Sequence, residues 1–205
     1  MNNSLVYYGN QTEITGDVAL SAMGIVMKIA MILASVCIGF GIGAQPILGF
    51  NLGAKKYARV RHTYLLAVSI ATGSILIGWA VCQLAPHLVL SLFGKENQTF
   101  TDFAVRCLRI YLGGIFCAGF QIVSTNYFQA TGQPLKASLL SMLRQLILLI
   151  PLLLILPLFF GLNGLLYAGP CADIGSAVIV ALFILPEMRK LNRRIAESQG
   201  PALAA

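Results

Sequence analysis

The chain has 205 residues, of which 58% are hydrophobic and only 10% are charged, and its mean hydropathy is +0.81. A soluble domain normally carries about 25% charged residues to contact water, so this composition excludes an ordinary water-soluble fold. The formal net charge is +7. A basic excess of this size is typical of proteins that contact either nucleic acid or membranes, and the position of the charges along the chain separates the two.

Five cysteines are scattered along the chain, without a Cys-x-x-Cys pair or a histidine at metal-ligand spacing. Four of them lie in strongly apolar stretches, where a thiol packs as a small hydrophobic group. We therefore predict no disulfide framework, no metal site and no cofactor. The first residues lack the basic and apolar regions of a signal peptide, so no cleaved leader is expected.

Five apolar runs are long enough to cross a bilayer as helices, which takes about 20 residues each. The first run contains Lys28, which either reaches towards the membrane surface or belongs to a short interfacial segment before a span at residues 29–50. The second is too long for one upright helix, and we expect it to tilt or bend near Pro86. The predicted fold class is therefore all-α, a polytopic bundle of about five transmembrane helices. The runs cover residues 18–50, 63–93, 103–131, 137–160 and 165–186.

The basic residues collect at alternate ends of these five spans. Segment 55–62 holds four Lys or Arg residues, segment 132–144 holds Lys136 and Arg144, and the stretch after Pro186 holds four more. Basic loops stay in the cytoplasm, so the N-terminus is predicted to lie outside and the C-terminus inside. No nucleic-acid partner is expected, because the aromatic–basic interleaving of a nucleic-acid module is missing.

One acidic residue, Asp173, lies well inside a predicted span. Because an ionised carboxylate is costly in hydrocarbon, it should face the bundle interior, pair with a cation or be protonated. Two roles fit this residue: it handles a proton or a cation, or it is structural, hydrogen-bonded to neighbouring helices or capping a bend after Pro170.

Polar side chains form a second candidate site in the inner half of the third span. They are Gln121, Ser124, Asn126 and Gln129. At about 100° per residue, Gln121, either Ser124 or Thr125, and Gln129 fall near one stripe of a helix. Such a stripe either lines a substrate cavity or joins helices together.

A third candidate region surrounds Pro46, which is flanked by Gln45 and Asn51 near the inner end of the first span. A proline inside a helix frees a backbone carbonyl, which these amides or Ser35 could satisfy. The pattern favours a bend or a gating hinge over ligand binding.

Several short motifs occur in a fixed order along the chain. Together they resemble the multidrug and toxin extrusion (MATE) transporters, and specifically the C-terminal half of that family, over residues 16–191. The motifs are Gln45-Pro46, Asn51 and Gly53-Ala54 ahead of the basic loop, then Phe128-Gln129-Ala130 with Gly132, Arg144-Gln145, Pro170 and Ala172-Asp173.

The resemblance implies a twelve-helix architecture of two lobes, in which the five spans correspond to helices eight to twelve. Residues 1–17 would then be an extracellular segment at the outer end of a truncated helix, 18–191 the transmembrane lobe and 192–205 a cytoplasmic tail. The expected partner is an N-terminal transporter lobe that this chain lacks.

The resemblance also implies a function: export of organic, often cationic, compounds across the cytoplasmic (inner) membrane in exchange for Na⁺ or H⁺. In the family, acids of helices one, seven and ten are implicated in coupling, but the span that matches helix ten has no acid beyond its N-terminal edge. Two alternatives remain, a lipid-linked-precursor flippase of the same superfamily and an inactive structural membrane fragment.

Overall fold

The computed structural model describes residues 16–93 and 98–199, and all structural statements below concern these residues. They form helices and turns without any strand, which confirms the all-α prediction. A 3-10 helix, Leu112–Cys117, follows the α-helix that ends at Tyr111, and a π-helix, Leu143–Leu149, follows the α-helix that ends at Met142. The α-helices are α1 (Gly16–Gly53), α2 (Tyr57–Leu84), α3 (Pro86–Ser91), α4 (Gln98–Tyr111), α5 (Ala118–Ala130), α6 (Pro134–Met142) and α7 (Ile150–Gln199).

The boundaries predicted after residue 17 and before residue 192 both lie within the described part of the chain, close to its ends. Most of the predicted extracellular segment 1–17 lies outside the described residues, as do residues 200–205 of the predicted tail. The extracellular assignment of residues 1–17 therefore stays a prediction. At the other end, α7 continues past the predicted tail boundary at residue 192 as far as Gln199.

Helix α1 is 38 residues long, or about 57 Å at 1.5 Å per residue, which exceeds the roughly 30 Å thickness of a bilayer's hydrocarbon core. The helix passes through Lys28 without a break, and this side chain is exposed. Any interfacial stretch before residue 29 is therefore part of the same helix as the span that follows it.

The predicted bend near Pro86 is confirmed. Helix α2 ends at Leu84, Ala85 leaves the helical region with φ −127° and ψ 54°, and Pro86 opens α3. The residue before a proline avoids the helical conformation because of the clash with the proline ring, whereas proline itself suits a helix's first position.

The fourth and fifth predicted spans form one helical run, Pro134–Ser198, so four helices of the described chain are long and apolar enough to cross a membrane rather than five. This run folds back on itself at Gly161, which has φ 55° and ψ −135°. A Cβ on Gly164 would collide with the carbonyl of Leu156, although eight residues of straight helix would separate them by about 12 Å. The two predicted spans are the antiparallel arms of this hairpin.

The backbone at Gly161 gives a direct test of the hairpin. A Cβ there would meet nothing within 4 Å, so Gly161→Ala should destabilise the protein by about 1–3 kcal/mol through backbone strain alone. Gly73 is the matched control, because a Cβ there also meets nothing within 4 Å, whereas the backbone is helical. Gly73→Ala should therefore stabilise the protein by about 0.5–1 kcal/mol. Detergent-induced unfolding of both variants measures the difference, and equal effects at the two glycines would contradict the strained turn.

The outer surface of the bundle is apolar. Large side chains such as Leu158 and Phe159 are 75% and 77% exposed, and many others on α1, α2 and α7 are more than half exposed. Scattered exposed apolar residues are normal in soluble proteins, but a surface built largely from them indicates contact with lipid. The buried core lies between α1, α2 and α5, where Val26, Ile75 and Phe128 are fully enclosed.

Candidate functional site

A buried ion pair joins the two arms of the hairpin. Asp173 of α7 is 5% exposed, and its Oδ1 accepts hydrogen bonds from Arg144 Nη2 at 2.6 Å and from Nε at 2.7 Å. The carboxylate thus faces the bundle interior and pairs with a cation, as expected for an acid inside a span. The arrangement fits both roles considered for Asp173, because an ion pair at this depth can be structural or can respond to a bound cation.

The 3-10 helix closes the space behind Asp173. A Cβ on Gly114 would lie 2.7 Å from Pro170 Cα and 3.1 Å from Asp173 Cβ, so only glycine allows this approach. A small cavity of about 80 Å³ contacts Tyr111, Arg144 and Asp173. Asp173 is therefore packed against the 3-10 helix and borders this small cavity.

Arg144 lies in a different place from the one that its sequence context predicts. The charge pattern groups it with the cytoplasmic loop 132–144, but it lies in the π-helix and points at Asp173. One feature of the sequence could have predicted the ion pair: Arg144 lies inside the apolar run 137–160, where a cation needs a partner just as an acid does. Its side chain is 41% exposed, so the guanidinium reaches both the buried acid and an open surface.

The amides of the second and third candidate regions form one cluster between α1 and α5. Gln45 Nε2 donates to Asn126 Oδ1 at 2.5 Å and to Gln129 Oε1 at 3.0 Å. The helices approach closely here, since a Cβ on Gly41 would collide with Asn126. Gln45, which the sequence associates with a bend, therefore belongs with Asn126 and Gln129.

Two residues of the predicted polar stripe join helices. Ser124 is completely buried and shares a 2.8 Å hydrogen bond with Tyr64 of α2, whose ring packs edge-on against Tyr127 at 5.0 Å. Gln121 is 5% exposed and accepts a hydrogen bond from Ser176 of α7 at 3.0 Å. Ser124 and Gln121 thus join helices, and the lining of a substrate cavity by this stripe stays a prediction.

The region around Pro46 does not form a site of its own. Pro46 leaves the backbone carbonyl of Ile42 without its helical partner. Asn51 Nδ2 donates instead to the carbonyl of Ile47, at 2.8 Å, which lies more than one helical turn further along the chain. Ser35 likewise bonds the carbonyl of Ile32 within its own turn. Neither side chain reaches the carbonyl expected, and a gating role for Pro46 and Asn51 stays a prediction.

An open polar cleft of about 230 Å³ lies between α5 and the α6–π-helix segment. Gln121, Asn126 and Gln129 of the predicted stripe line it from one side and Arg144 from the other. The exposed side chains of Ser141 and Gln145 stand at its edge. Within the described residues, no group of three His, Cys, Asp or Glu side chains is placed to hold a metal ion, and the five cysteines are free thiols.

A lipid-exposed helical bundle with a polar cleft and a buried ion pair has the character of a multi-pass membrane transporter. The model of the family described as MatE matches residues 11–155, and the chain belongs to this family. Members of the family are multi-pass membrane transporters rather than enzymes.

Two named relatives are similar over most of the chain. The chain is 26% identical over 178 residues to the multidrug export protein MepA of Staphylococcus haemolyticus (strain JCSC1435), covering 85% of this chain and 38% of that protein. It is 26% identical over 188 residues to MepA of Staphylococcus aureus (strain N315), covering 90% and 39%. The chain therefore spans about two fifths of the length of these relatives.

Solved structures show the same fold. The inward-facing conformation of a multidrug resistance MATE transporter of the MOP superfamily matches with a TM-score of 0.82 at 18% identity, over 94% of this chain and 43% of that chain. The MATE multidrug transporter DinF-BH matches with a TM-score of 0.76 at 34% identity, over 90% of this chain and 40% of that chain. The chain thus has the architecture of a partial lobe of a MATE transporter.

Proposed function

We propose that the chain acts as the C-terminal lobe of a multidrug efflux antiporter in the cytoplasmic membrane, with its N-terminus outside and its C-terminus in the cytoplasm. The cargo is organic, often cationic, compounds, and the coupling ion is Na⁺ or H⁺. Transport requires an N-terminal lobe, because a single lobe supplies one wall of a cavity that alternates between two openings.

One observation supports this proposal most directly. The fold matches an inward-facing and an outward-facing MATE structure equally well, with a TM-score of 0.82 to each and 18% and 19% identity. A lobe that moves as a unit during alternating access keeps its own fold in both states. The match therefore supports a transporter lobe whose fold is compatible with both states of alternating access.

We assign the coupling function to Asp173. The side chain is 7% exposed and its charge is balanced by Arg144 at 2.6 Å, so a proton or Na⁺ that binds the carboxylate must weaken the ion pair. Arg144 then gains freedom at the cleft that it lines, which links occupancy of the acid to this polar surface. A coupling site must make different contacts in its ion-bound and ion-free states, and the pairing of Asp173 with Arg144 would differ between them.

Co-expression with an N-terminal MATE lobe tests the assignment. Efflux of a fluorescent organic cation is measured with and without an ion gradient, and Asp173→Asn should reduce gradient-driven efflux to the level seen without a gradient. Glu197→Gln, which alters an exposed pair with Arg193 on the same helix, is the matched control and should retain efflux.

The possible outcomes distinguish a failure of the coupling role assigned to Asp173 from a failure of the efflux function. Equal efflux by the wild type and Asp173→Asn would assign Asp173 a structural role and leave the efflux function in place. Absence of efflux by the wild-type pair of lobes, with both lobes present in the membrane, would overturn the efflux function and favour the inactive-fragment alternative.

A further inference from the structure

The hydrogen bonds of the amide cluster fix which end of Gln129 faces the cleft. Asn126 Nδ2 donates to the backbone carbonyl of Ile122 at 2.9 Å, and a carbonyl can only accept. Asn126 Oδ1 therefore faces Gln45, whose Nε2 must donate to it and to Gln129 Oε1. The NH₂ group of Gln129 is left for the cleft.

Arg144 presents donors to the same cleft. Its Nε and Nη2 both bond Asp173 Oδ1, which uses two of the five N–H groups of a guanidinium. The three others have no hydrogen-bond partner among the described residues, and the side chain is 41% exposed along the cleft wall. Arginine donors in a membrane cavity require acceptor oxygens from water or from a ligand.

The cleft lacks a negative charge to balance a cation. None of its described lining residues is acidic, and Asp173 is hidden behind Arg144. The hydroxyl of Thr125, which also lines the cleft, donates to the backbone carbonyl of Gln121 at 2.9 Å, so it contributes an oxygen but no charge. An organic cation finds no ion-pairing partner on this surface.

We propose that the cleft between α5 and the π-helix binds the acceptor end of the cargo, a carboxylate or a carbonyl, through Arg144 and the amide NH₂ of Gln129. This inference rests on the proposed efflux function and specifies its substrate class: solutes that carry a carboxylate or carbonyl oxygen able to accept hydrogen bonds from these donors. Any cationic part of such a solute is bound by a surface outside this cleft.

A matched pair of dyes tests the chemistry. The first is a cationic rhodamine ethyl ester with one positive charge, and the second is its free acid, which has the same ring system with a carboxylate in place of the ester. Binding of both dyes is measured by fluorescence anisotropy on the full chain in lipid nanodiscs, with empty nanodiscs subtracted to remove partition into lipid.

The wild type should bind the acid about tenfold more tightly than the ester, as expected for one charge-assisted hydrogen-bonded contact. Arg144→Gln combined with Asp173→Asn, which removes both charges together, should abolish this preference. Gln129→Leu should reduce it about fivefold. Arg194→Gln, which removes a cation that lies over the ring of Tyr57 instead, should keep it.

Tighter binding of the ester, equal binding of the two dyes, or binding of neither dye would overturn the inference. A preference that survives in the double variant would place the carboxylate elsewhere and would overturn it as well. These results leave the efflux measurement unaffected, because export of the ester by the two-lobe transporter supports the proposed function whatever the preference of this cleft.

Discussion

Replacing Arg144 by methionine should lower the free energy of unfolding by about 3 kcal/mol, at the lower end of the range for breaking a buried ion pair. The cost comes from Asp173, which is 5% exposed and loses the cation that donates two hydrogen bonds to its Oδ1. Methionine retains much of the length and apolar volume of the side chain, so the packing of the π-helix around this position changes little. Unfolding by SDS in dodecyl maltoside micelles, followed by circular dichroism, measures the difference.

A second substitution identifies the cause. Adding Asp173→Asn to Arg144→Met removes the uncompensated carboxylate, and the double variant should recover most of the lost stability. Recovery is expected because replacing both partners of a buried pair is often close to neutral. If the double variant is as unstable as Arg144→Met, the loss arises from packing and not from an unpaired charge.

The chain offers a matched control at the other ion pair between the hairpin arms. Lys136 lies 4.0 Å from Glu187 and is 43% exposed, close to the 41% of Arg144. Glu187 also contacts Lys190 at 3.9 Å and accepts a hydrogen bond from Gln133. Lys136→Met leaves those partners in place, so we expect a loss of less than about 1 kcal/mol.

Features that depend on neighbouring residues were predictable from the sequence. Apolar runs indicated the helices, and the break before Pro86 follows from the clash between a proline ring and the residue that precedes it. The burial of Asp173 follows from the cost of a charge in hydrocarbon. Each of these conclusions needs only one segment of the chain.

Features that depend on how segments meet were not predictable. Arg144 and Asp173 are 29 residues apart in sequence, and only the turn at Gly161 brings them to the same height in the hairpin. Gln45 and Gln129 are 84 residues apart, and their contact depends on the close approach of α1 to α5. Helical spacing correctly grouped the α5 residues on one face, but it carries no information about the partner helix.

A close crossing of α5 over α2 gives the second large effect. At Gly119, a Cβ would lie 2.9 Å from both Cα and N of Thr72 and 3.0 Å from the carbonyl carbon of Ala71. These are backbone atoms of α2, which cannot rotate away, so α5 can accommodate a side chain only by moving the whole helix. Small residues at such crossings are what permits close helix packing in membranes.

Gly119→Val should therefore cost about 3 kcal/mol, the upper part of the range for an overpacked core, and should also separate Ser124 from Tyr64, which share a hydrogen bond at this same interface. Gly43→Val is the control, because a Cβ at Gly43 of α1 meets nothing within 4 Å. The intrinsic helix propensity changes equally in the two variants, but the steric clash is absent at Gly43. The difference between the two variants in SDS-induced unfolding isolates the crossing. Equal losses of stability would show that helix propensity, and not the contact between α2 and α5, accounts for the effect.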